Sequence, residues 1–425
     1  MQVLVIGGGG REHTLVWKIA MSPRVEKIYC IPGNPGIGRI AECVDIDIAD
    51  NAALVDFAVK NKIDLTVVGP ELPLTNGVVD AFASAGLRAF GPTQAAAELE
   101  GSKAFAKGLM KKYGIPTAGF EVFKDASSAK AYIGRIGAPV VVKADGLAAG
   151  KGVVVAMTVE EATAAVDMMM RDQAFGLAGS RVVIEEYLTG EEASLLAFTD
   201  GYTVVPMISA QDHKRAYDGD QGPNTGGMGT YAPAPVVTPA VLEQIRQQVL
   251  QPVVDALRAE GRLYRGCLYA GLMIGGNGPK VIEFNARFGD PETQVVLPLL
   301  TSDLVTVMEA CIDGTLADTE VKWEAQAAVC VVMAAGGYPG GYATGDVISG
   351  IEAAEQAEAM VFQAGTACKE QAIVTNGGRV LGVTAKAPDI RSAVEKAYNA
   401  VKEISFIDMH YRRDIAHRAM ERHSN

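Results

Sequence analysis

Residues 139–155 read Pro-Val-Val-Val-Lys-Ala-Asp-Gly-Leu-Ala-Ala-Gly-Lys-Gly-Val-Val-Val. Two short β-branched runs, each too short for a helix, flank a loop that contains Gly146, Gly150 and Gly152. The pattern predicts a β-hairpin with a glycine-rich tip. Glycines let backbone amides approach a polyphosphate, and Lys143 and Lys151 add positive charge. We therefore interpret the stretch as a hairpin that closes over phosphates.

The main alternative for this loop is a Walker A motif, in which Gly-x4-Gly-Lys-Ser/Thr leads from a strand into a helix. Asp145 stands six positions before Lys151, where that motif requires glycine, and Gly152 replaces the magnesium-binding hydroxyl. A strand, not a helix, follows. The loop therefore differs from a P-loop, although taken alone it also fits an ordinary mobile hairpin.

Length and composition predict a multidomain α/β enzyme. The chain of 425 residues is too long for one core, and its 47 glycines suit many tight strand–helix turns. A net charge of −12 disfavours a nucleic-acid-binding surface. The six cysteines lack Cys-x2-Cys spacing, which disfavours zinc and disulfides and predicts a reducing cytoplasm. No stretch reads as a membrane span or a signal sequence.

The N-terminus reads as a Rossmann-like unit. The strand Val3–Ile6 leads into Gly7-Gly-Gly-Gly-Arg-Glu-His13 and then into an amphipathic helix. Glu12 takes the place of the third glycine of a dinucleotide fingerprint, and the next strand ends in Pro32-Gly-Asn-Pro-Gly36 without a ribose-binding acid. We therefore expect a phosphate, and not NAD, at the helix N-terminus, where free amides attract an anion.

Three segments in the middle of the chain have compositions typical of a binding site. Glu98–Lys112 predicts a helix that carries Lys103. The strand Arg181–Leu188 ends in acids and continues to Glu192, which suggests either a solvated edge or an acid that binds ribose. Asp212–Gly229 is a long polar loop, and such a loop inside a compact domain is usually functional or disordered; its alternating charges and clustered glycines favour function.

The segment Glu283-Phe-Asn-Ala-Arg-Phe-Gly-Asp-Pro-Glu292 carries the candidate metal site. In a strand with period two, Glu283, Asn285 and Arg287 share one face. Carboxylate and amide oxygens suit Mg2+, and a guanidinium can hold a carboxylate or phosphate in a fork. The alternative is a surface salt-bridge ladder. It is disfavoured because Val281–Phe284 reads as a buried strand, where charge needs a partner.

The predicted fold class is mixed α/β and α+β in three domains. A Rossmann-like N-terminal domain should occupy 1–100. A central domain should occupy 101–325, with a lid subdomain at about 120–190. A small α+β domain should occupy 326–425, because a strand at Ala327–Met333 and a helix at Ile390–Ile404 flank a hairpin turn at Asn376–Arg379.

The chain resembles the phosphoribosylamine–glycine ligases of purine biosynthesis, which are members of the ATP-grasp superfamily. The resemblance covers nearly the whole chain in order and spacing. Its most specific carrier is Arg287-Phe-Gly-Asp-Pro-Glu292, which is close to the family's signature. The other carriers are Gly9–His13, Pro32–Asn34, Val68–Glu71, Leu99–Lys103, Lys143–Gly152, Asp212–Gly229 and Asn376–Arg379.

The resemblance implies an ATP-grasp fold for the central domain, with the glycine hairpin as its lid. It implies that glycine, ATP and 5-phosphoribosylamine give an amide, ADP and phosphate. A carboxylate is a poor electrophile, so ATP first converts it into an acyl phosphate that the amine attacks. We further expect Mg2+ or Mn2+, a cytoplasmic monomer or weak homo-oligomer, and no nucleic-acid or membrane partner.

The resemblance also assigns roles to residues. Arg287 should face the glycine carboxylate, while Asp212 and Lys214 belong to Asp212–Gly229, called the acceptor loop below. Glu283 and Asn285 are the metal ligands. The expected nucleotide contacts are Lys103, Lys143, Gly146, Gly150, Lys151, Gly152, Glu185, Glu186, Leu188 and Glu192, with Glu191 as the alternative ribose acid. The expected substrate contacts are Gly9, Gly10, Arg11, Glu12, Pro32, Gly33, Asn34, Glu71, Asn224, Thr225, Gly226, Asp290 and Pro291.

One expected feature of the superfamily is missing. Many ATP-grasp enzymes carry an acidic metal ligand on the strand before the Glu-x-Asn strand, and here that strand, Leu268–Ile274, has none. How a second metal ion would be completed stays open. Two other functions remain open: an ATP-grasp carboxylate–amine ligase or carboxylase with a different acceptor, and a nucleotide-binding regulatory module. The broken fingerprint disfavours an NAD-dependent oxidoreductase.

Overall fold

A five-stranded parallel sheet forms the N-terminal part of the protein. The computed structural model describes residues 1–148, 152–172 and 174–422. The first elements are β1 (Gln2–Gly7), α1 (Gly10–Ile19), β2 (Lys27–Pro32), β3 (Glu42–Cys43), α2 (Asn51–Lys60), β4 (Leu65–Val68), α3 (Glu71–Thr75), α4 (Val78–Ser84) and β5 (Ala89–Phe90). The strand order is β3-β2-β1-β4-β5. Val3 and Val5 of β1 face one apolar cluster, and Leu4 and Ile6 face another. Burial on both faces is typical of a parallel sheet and confirms the Rossmann-like prediction.

The connection to the central domain contains two helices, α5 (Gln94–Gly101) and α6 (Lys103–Tyr113). The single helix predicted over Glu98–Lys112 is therefore wrong. Ser102 adopts an extended conformation between the two helices, and its side chain caps α6 by accepting a hydrogen bond from the amide of Phe105 at 3.1 Å. The break places Lys103 in the first turn of α6.

The glycine-rich stretch forms the predicted hairpin within an antiparallel sheet, called the lid sheet below. Its elements are β6 (Phe120–Phe123), α7 (Ala126–Ile136), β7 (Val140–Ala144), β8 (Val153–Ala156), α8 (Val159–Val166) and β9 (Val182–Glu186). The strand order is β6-β9-β7-β8. Val140 to Lys143 pair with Ala156 to Val153 in antiparallel register. The base of the loop closes where the amide of Ala144 donates to the carbonyl of Gly152 at 2.8 Å.

A second antiparallel sheet lies under the lid sheet. The next elements are β10 (Glu191–Thr199), β11 (Val204–Pro206), β12 (Gln211–Asp212), β13 (Arg215–Tyr217), β14 (Gln221–Asn224), β15 (Gly229–Ala232), α9 (Pro239–Ile245), α10 (Gln251–Ala259), β16 (Gly266–Gly275) and β17 (Gly278–Asn285). Four of these strands pair in the order β11-β10-β16-β17. A bulge beside Ile282 interrupts the register between β16 and β17, since Gly271 pairs with Glu283 and Leu272 with Val281.

The C-terminal part shares a sheet with the acceptor loop. Its elements are α11 (Thr293–Val296), α12 (Leu304–Asp313), β18 (Ala327–Ala334), α13 (Ile351–Gln356), β19 (Met360–Gln363), β20 (Thr366–Lys369), β21 (Ala372–Thr375), β22 (Arg379–Ala387), α14 (Ile390–Val401) and α15 (His417–Arg422). The strand order is β12-β15-β18-β22-β19. The sheet therefore joins the two ends of the acceptor loop to strands that follow residue 326. No helix in the described part of the chain is both long and apolar enough to cross a bilayer.

Candidate active site

A cavity of about 900 Å3 lies between the lid sheet, the sheet under it and loops from both ends of the chain. Its volume is at the upper end of the range for ligand sites, which leaves room for a nucleotide and a second substrate. The predicted residues that line it are Arg11, Glu71, Lys103, Lys143, Gly152, Glu185, Glu186, Leu188, Glu192, Asp212, Lys214, Asn224, Thr225, Gly226, Glu283, Asn285, Arg287 and Asp290. Gly150 and Lys151, which were also predicted as nucleotide contacts, lie outside the described residues.

Two lysines line this cavity, Lys103 from the first turn of α6 and Lys143 from β7 of the lid sheet. Lys103 donates from Nζ to the carbonyl of Gly146 at 3.0 Å. Lys143 donates to the carbonyl of Ile282 at 3.1 Å, and its Nζ lies 3.0 Å from Glu185 Oε1. Burial lowers the pKa of Lys103, while the carboxylate of Glu283 opposes that shift. These ammonium groups can neutralise the phosphates of a nucleotide.

The base of the lid sheet is anchored to α6 by Asp145. Its Oδ1 accepts hydrogen bonds from the Ser102 hydroxyl at 3.0 Å and from the Ala104 amide at 2.7 Å. Its Oδ2 lies 2.5 Å from an Nη of Arg181. The carboxylate thus sits at the N-terminus of α6, where the helix dipole favours negative charge. This contact fixes the position of Lys103, in the first turn of α6, relative to the lid sheet.

Glu283 and Asn285 lie at the end of β17 and face the cavity. Burial opposes ionisation of Glu283, but Lys214, Lys143 and Lys103 together lower its pKa. Within the described residues this carboxylate has no hydrogen-bonded or ion-paired protein partner. An ionised carboxylate without a direct partner, beside an amide oxygen, is a fitting donor pair for a hard divalent cation. No group of three or more His, Cys, Asp and Glu side chains with metal-site geometry occurs in the described residues.

Arg287 is held by acids from the N-terminal half of the chain. One of its Nη atoms lies 3.0 Å from Glu100 Oε1 and 3.3 Å from Asn285 Oδ1, and its Nε lies 3.4 Å from Glu71 Oε2. Burial opposes the charge, but Glu100 and Glu71 raise the pKa of the guanidinium. The side chain is therefore a fixed, permanent cation that lines the cavity next to the two candidate metal ligands.

The acceptor loop brings opposite charges together at the other side of the cavity. Lys214 Nζ lies 2.8 Å from Glu192 Oε2, and this charge lowers the pKa of Glu192. Burial, together with the charges of Glu292 and Glu192, raises the pKa of Asp212 to about 7. Thr225 ties the loop together because its amide and its hydroxyl donate to the carbonyl of Lys214 at 2.7 and 2.9 Å. Asp212 is therefore a buried carboxyl group that can exchange a proton near neutral pH.

The N-terminus of α1 is already occupied by carboxylates of the chain. The amide of Gly9 donates to Glu12 Oε2 at 2.6 Å, and the amide of Arg11 donates to Asp290 Oδ2 at 3.3 Å. A phosphate was expected at these amides, but in the structure they donate hydrogen bonds to the carboxylates of Glu12 and Asp290. Only the side chain of Arg11 extends from this turn to line the cavity, and its Nη1 donates to the carbonyl of Phe288 at 3.2 Å.

Several other predicted residues are not part of the cavity lining, and some of them have partners inside the protein. Asn34 donates from Nδ2 to the carbonyls of Gly8 at 2.9 Å and Gln363 at 2.8 Å, and its Oδ1 accepts from Ile37 at 3.0 Å. A side chain at Gly33 would collide with Cys43. The predicted residues outside the cavity lining are Gly9, Gly10, Glu12, Pro32, Gly33, Asn34, Gly146 and Pro291.

Comparison with known proteins matches nearly the whole chain to one family. Family models of phosphoribosylglycinamide synthetase match the N domain over residues 1–100, the ATP-grasp (A) domain over 101–293 and the C domain over 328–418. The chain is 56% identical, over 99% of its length and 97% of the relative, to a phosphoribosylamine–glycine ligase of Halalkalibacterium halodurans. It is 54% identical, over 99% of both chains, to that of Vibrio cholerae. The chain belongs to the phosphoribosylamine–glycine ligase family.

Solved structures agree with this family assignment. The phosphoribosylamine–glycine ligase of Thermotoga maritima superposes with a TM-score of 0.84 at 34% identity, over 98% of this chain and all of that one. A biotin carboxylase domain from Hydrogenobacter thermophilus superposes with a TM-score of 0.74 at 18% identity, over 96% of this chain and 91% of that one. The second likeness concerns the fold alone.

Several residues that line this ligase-family cavity were not predicted as site residues, and four of them, Glu100, Lys107, Arg379 and Arg418, carry charge. Lys107 lies one helical turn after Lys103, so its i+4 spacing could have indicated the same face. Glu100 and Arg379 stand inside motifs that carried the resemblance, but no role was assigned to them. Arg418 had no signal in the sequence, because a basic residue in a polar terminal helix normally faces solvent.

Proposed function

We propose that the protein ligates glycine to 5-phosphoribosylamine at the expense of ATP, through a glycyl phosphate, and releases glycinamide ribonucleotide, ADP and phosphate. The observation that carries this proposal is the arrangement of one cavity. Lys103 and Lys143 face it from the lid side, Glu283 and Asn285 face it from β17, and Arg287 follows directly. Phosphoryl transfer to a carboxylate requires this combination of cations, metal ligands and a carboxylate-binding group.

The nucleotide would lie between the lid sheet and β17. Glu186 lies at the end of β9, and Tyr187 and Leu188 follow it; all three line the cavity, and their backbone groups would pair with the base. The ammonium groups of Lys103 and Lys143 would contact the phosphates, and the glycine hairpin would cover them. Glu192 is the proposed ribose acid. Glu191, which also lines the cavity and forms an ion pair with Arg422, is the alternative.

We propose Mg2+ or Mn2+ as the divalent metal, held by the carboxylate of Glu283 and the amide oxygen of Asn285. Both donors are hard oxygens, and the carboxylate is ionised without a direct partner among the residues that the structure describes. A divalent cation supplies charge neutralisation to the transferring phosphoryl group.

The amine half of the reaction is proposed to occur between Arg287 and the acceptor loop. The planar guanidinium of Arg287 would orient the glycine carboxylate for attack on the phosphate. Asp212, with its pKa of about 7, would accept a proton from the amine as it attacks the acyl phosphate. Lys214 would stabilise charge at the same place. The side chain of Arg11 is the proposed contact for the phosphate of phosphoribosylamine.

A carboxylase that uses bicarbonate is the alternative function, because the biotin carboxylase domain of Hydrogenobacter thermophilus has the same fold and its structure contains Mg-ADP and bicarbonate. ADP release separates the two functions. We expect release only when glycine and phosphoribosylamine, generated in situ, are present together. Omission of either substrate should abolish release. Equal turnover with bicarbonate in place of glycine, or with an unrelated amine, would assign the protein to the alternative.

A further inference from the structure

The last residues of the described chain lie against the acceptor loop. This C-terminal segment, His410–Arg422, contacts the loop mainly by donating hydrogen bonds to backbone carbonyls and carboxylates of the loop. Ring Nε2 of His410 lies 2.7 Å from the carbonyl of Ala216, and the amide of Arg413 donates to Asp218 Oδ1 at 2.8 Å. The amide of Gly219 donates in return to Asp414 Oδ2 at 2.9 Å. The conformation of the loop therefore depends on residues that lie about 195 positions further along the chain.

Asp220 is the centre of this contact. Its Oδ1 accepts a hydrogen bond from Arg412 Nη1 at 2.8 Å, and its Oδ2 accepts one from Arg418 Nη2 at 2.6 Å. Arg412 is completely buried and also pairs with Asp414 through two hydrogen bonds of 2.8 and 2.7 Å. Two guanidinium groups of the same segment thus bind one carboxylate of the loop. Charge-assisted hydrogen bonds of this kind are stronger than those between neutral groups.

Arg418 differs from Arg412 in its exposure. Its side chain is 29% exposed and lines the cavity, as does its partner Asp220. Lys214 and Asn224, which line the same cavity, lie within six residues of Asp220 in the chain. The bond between Arg418 and Asp220 therefore links the terminal helix directly to the part of the loop that faces the substrates.

We propose that Arg418 is a positioning residue for the amine acceptor. It holds Asp220, and through Asp220 it holds Asp212–Gly229 in the arrangement that places Lys214 and Asn224 at the cavity. This inference rests on the proposed function for the identity of the acceptor. Arg412 is too deeply buried to serve as a test, because its removal would take both guanidinium bonds from Asp414, leave Asp220 with Arg418 as its remaining guanidinium partner and destabilise the fold. Arg418, at the edge of the cavity, can be changed without exposing a core.

The test compares Arg418→Ala, Arg418→Lys and the control Arg391→Ala in the full-length protein. Arg391 is an exposed arginine on α14, in the same part of the chain. Steady-state kinetics gives kcat/KM for phosphoribosylamine at saturating ATP and glycine. Titration calorimetry gives the Kd for ATP. Hydrogen–deuterium exchange reports the protection of the amides of 214–226.

We expect Arg418→Ala to lower kcat/KM for phosphoribosylamine by on the order of 10–100-fold, the range for loss of a charged hydrogen bond. The Kd for ATP should stay within about twofold, since in the described part of the chain neither Lys103 nor Lys143 forms a hydrogen bond or ion pair with Arg418. Amides 214–226 should exchange faster, Arg418→Lys should restore part of the activity, and Arg391→Ala should match the wild type.

Two results would overturn the inference. The first is that neither the exchange of the loop amides nor kcat/KM changes in Arg418→Ala. The second is that the affinity for ATP falls as much as kcat/KM and the melting temperature also falls, which would indicate general destabilisation. If the wild type itself released no ADP with phosphoribosylamine and glycine, the proposed function would fail. The exchange measurement would still decide whether Arg418 positions the loop, so the two failures are distinguishable.

Discussion

The ammonium of Lys107 lies 2.8 Å from Glu185 Oε2, and both side chains are almost completely buried. The other oxygen of the same carboxylate lies 3.0 Å from Lys143 Nζ. Burial lowers the pKa of Lys107 to about 8, while the charge of Glu185 opposes that shift. One carboxylate at the end of β9 therefore connects a lysine of α6 to a lysine of the lid sheet. This arrangement connects α6 to the lid sheet, which would cover the nucleotide in the proposed site.

Replacing Lys107 by methionine should weaken nucleotide binding and the fold together. The variant leaves Glu185 with a single cation, so the free energy of unfolding should fall by ~2–3 kcal/mol, less than the loss of a completely unpaired buried charge. The Kd for ATP should rise several-fold because Lys143 is drawn towards the carboxylate and away from the phosphates. Denaturant titration and calorimetry measure the two effects. Lys111→Met, an exposed position one turn further along α6, is the control and should change neither quantity.

Glu283→Gln should lower kcat by on the order of 100–1,000-fold, the range for loss of one group that stabilises transition-state charge. Stability should fall only modestly, because within the described residues the carboxylate has no direct partner and the variant loses only its attraction to Lys214, Lys143 and Lys103. Steady-state rates over a series of Mg2+ and Mn2+ concentrations measure the effect, and Glu121→Gln on the exposed face of β6 is the matched control. A near-normal kcat with an unchanged metal requirement would remove Glu283 from the metal site.

Arg287→Lys should weaken glycine more than ATP. A lysine keeps the charge but loses the planar fork, so kcat/KM for glycine should fall by about 10–100-fold while KM for ATP changes little. The contacts of Arg287 with Glu100 and Glu71 also predict a lower melting temperature. Separate measurement of KM for glycine and for ATP decides the role. A lowered melting temperature beside unchanged glycine kinetics would make Arg287 purely structural. Arg258→Lys, at a partly exposed arginine of α10, is the control.

Asp212→Asn should abolish most activity and stabilise the protein near neutral pH. The folded-state pKa of about 7 lies above the ordinary value, so the contribution of Asp212 to stability is present below pH 3.8 and is lost as the pH rises through 7. Asparagine does not titrate. The variant should therefore exceed the wild type in free energy of unfolding by ~1–3 kcal/mol at pH 7.5, and by less at pH 5.

The same titration predicts the pH dependence of catalysis. Wild-type kcat should fall as the pH drops below about 7, because protonated Asp212 cannot accept a proton from the amine. Rates and denaturant titrations at pH 5, 6, 7 and 8 measure both consequences, with Asp318→Asn as an exposed control. A pH-independent stability difference between the variant and the wild type would contradict the raised pKa.

The sequence was sufficient wherever the answer depended on near neighbours in the chain. The two valine runs around residues 144–152 predicted the hairpin, because β-branched residues favour strands and glycines favour the loop. Glu283 and Asn285 were expected on one face, and both face the cavity, because the alternation of a strand is local. The absence of a dinucleotide fingerprint after β1 could also be read directly. These features need no knowledge of distant residues.

Only the tertiary structure decided which distant groups meet. Asp145 ends the predicted helix at Ser102 from 43 residues away. Asp290 accepts a hydrogen bond from the amide of Arg11, 279 residues away, at the turn where a phosphate was expected. Arg418 reaches Asp220 across 198 residues. Periodicity carries no information about such pairs, because each depends on how sheets and loops pack after the chain has closed over a long distance. The local pattern thus determined the elements and the types of chemical group, and packing determined which charges face the cavity.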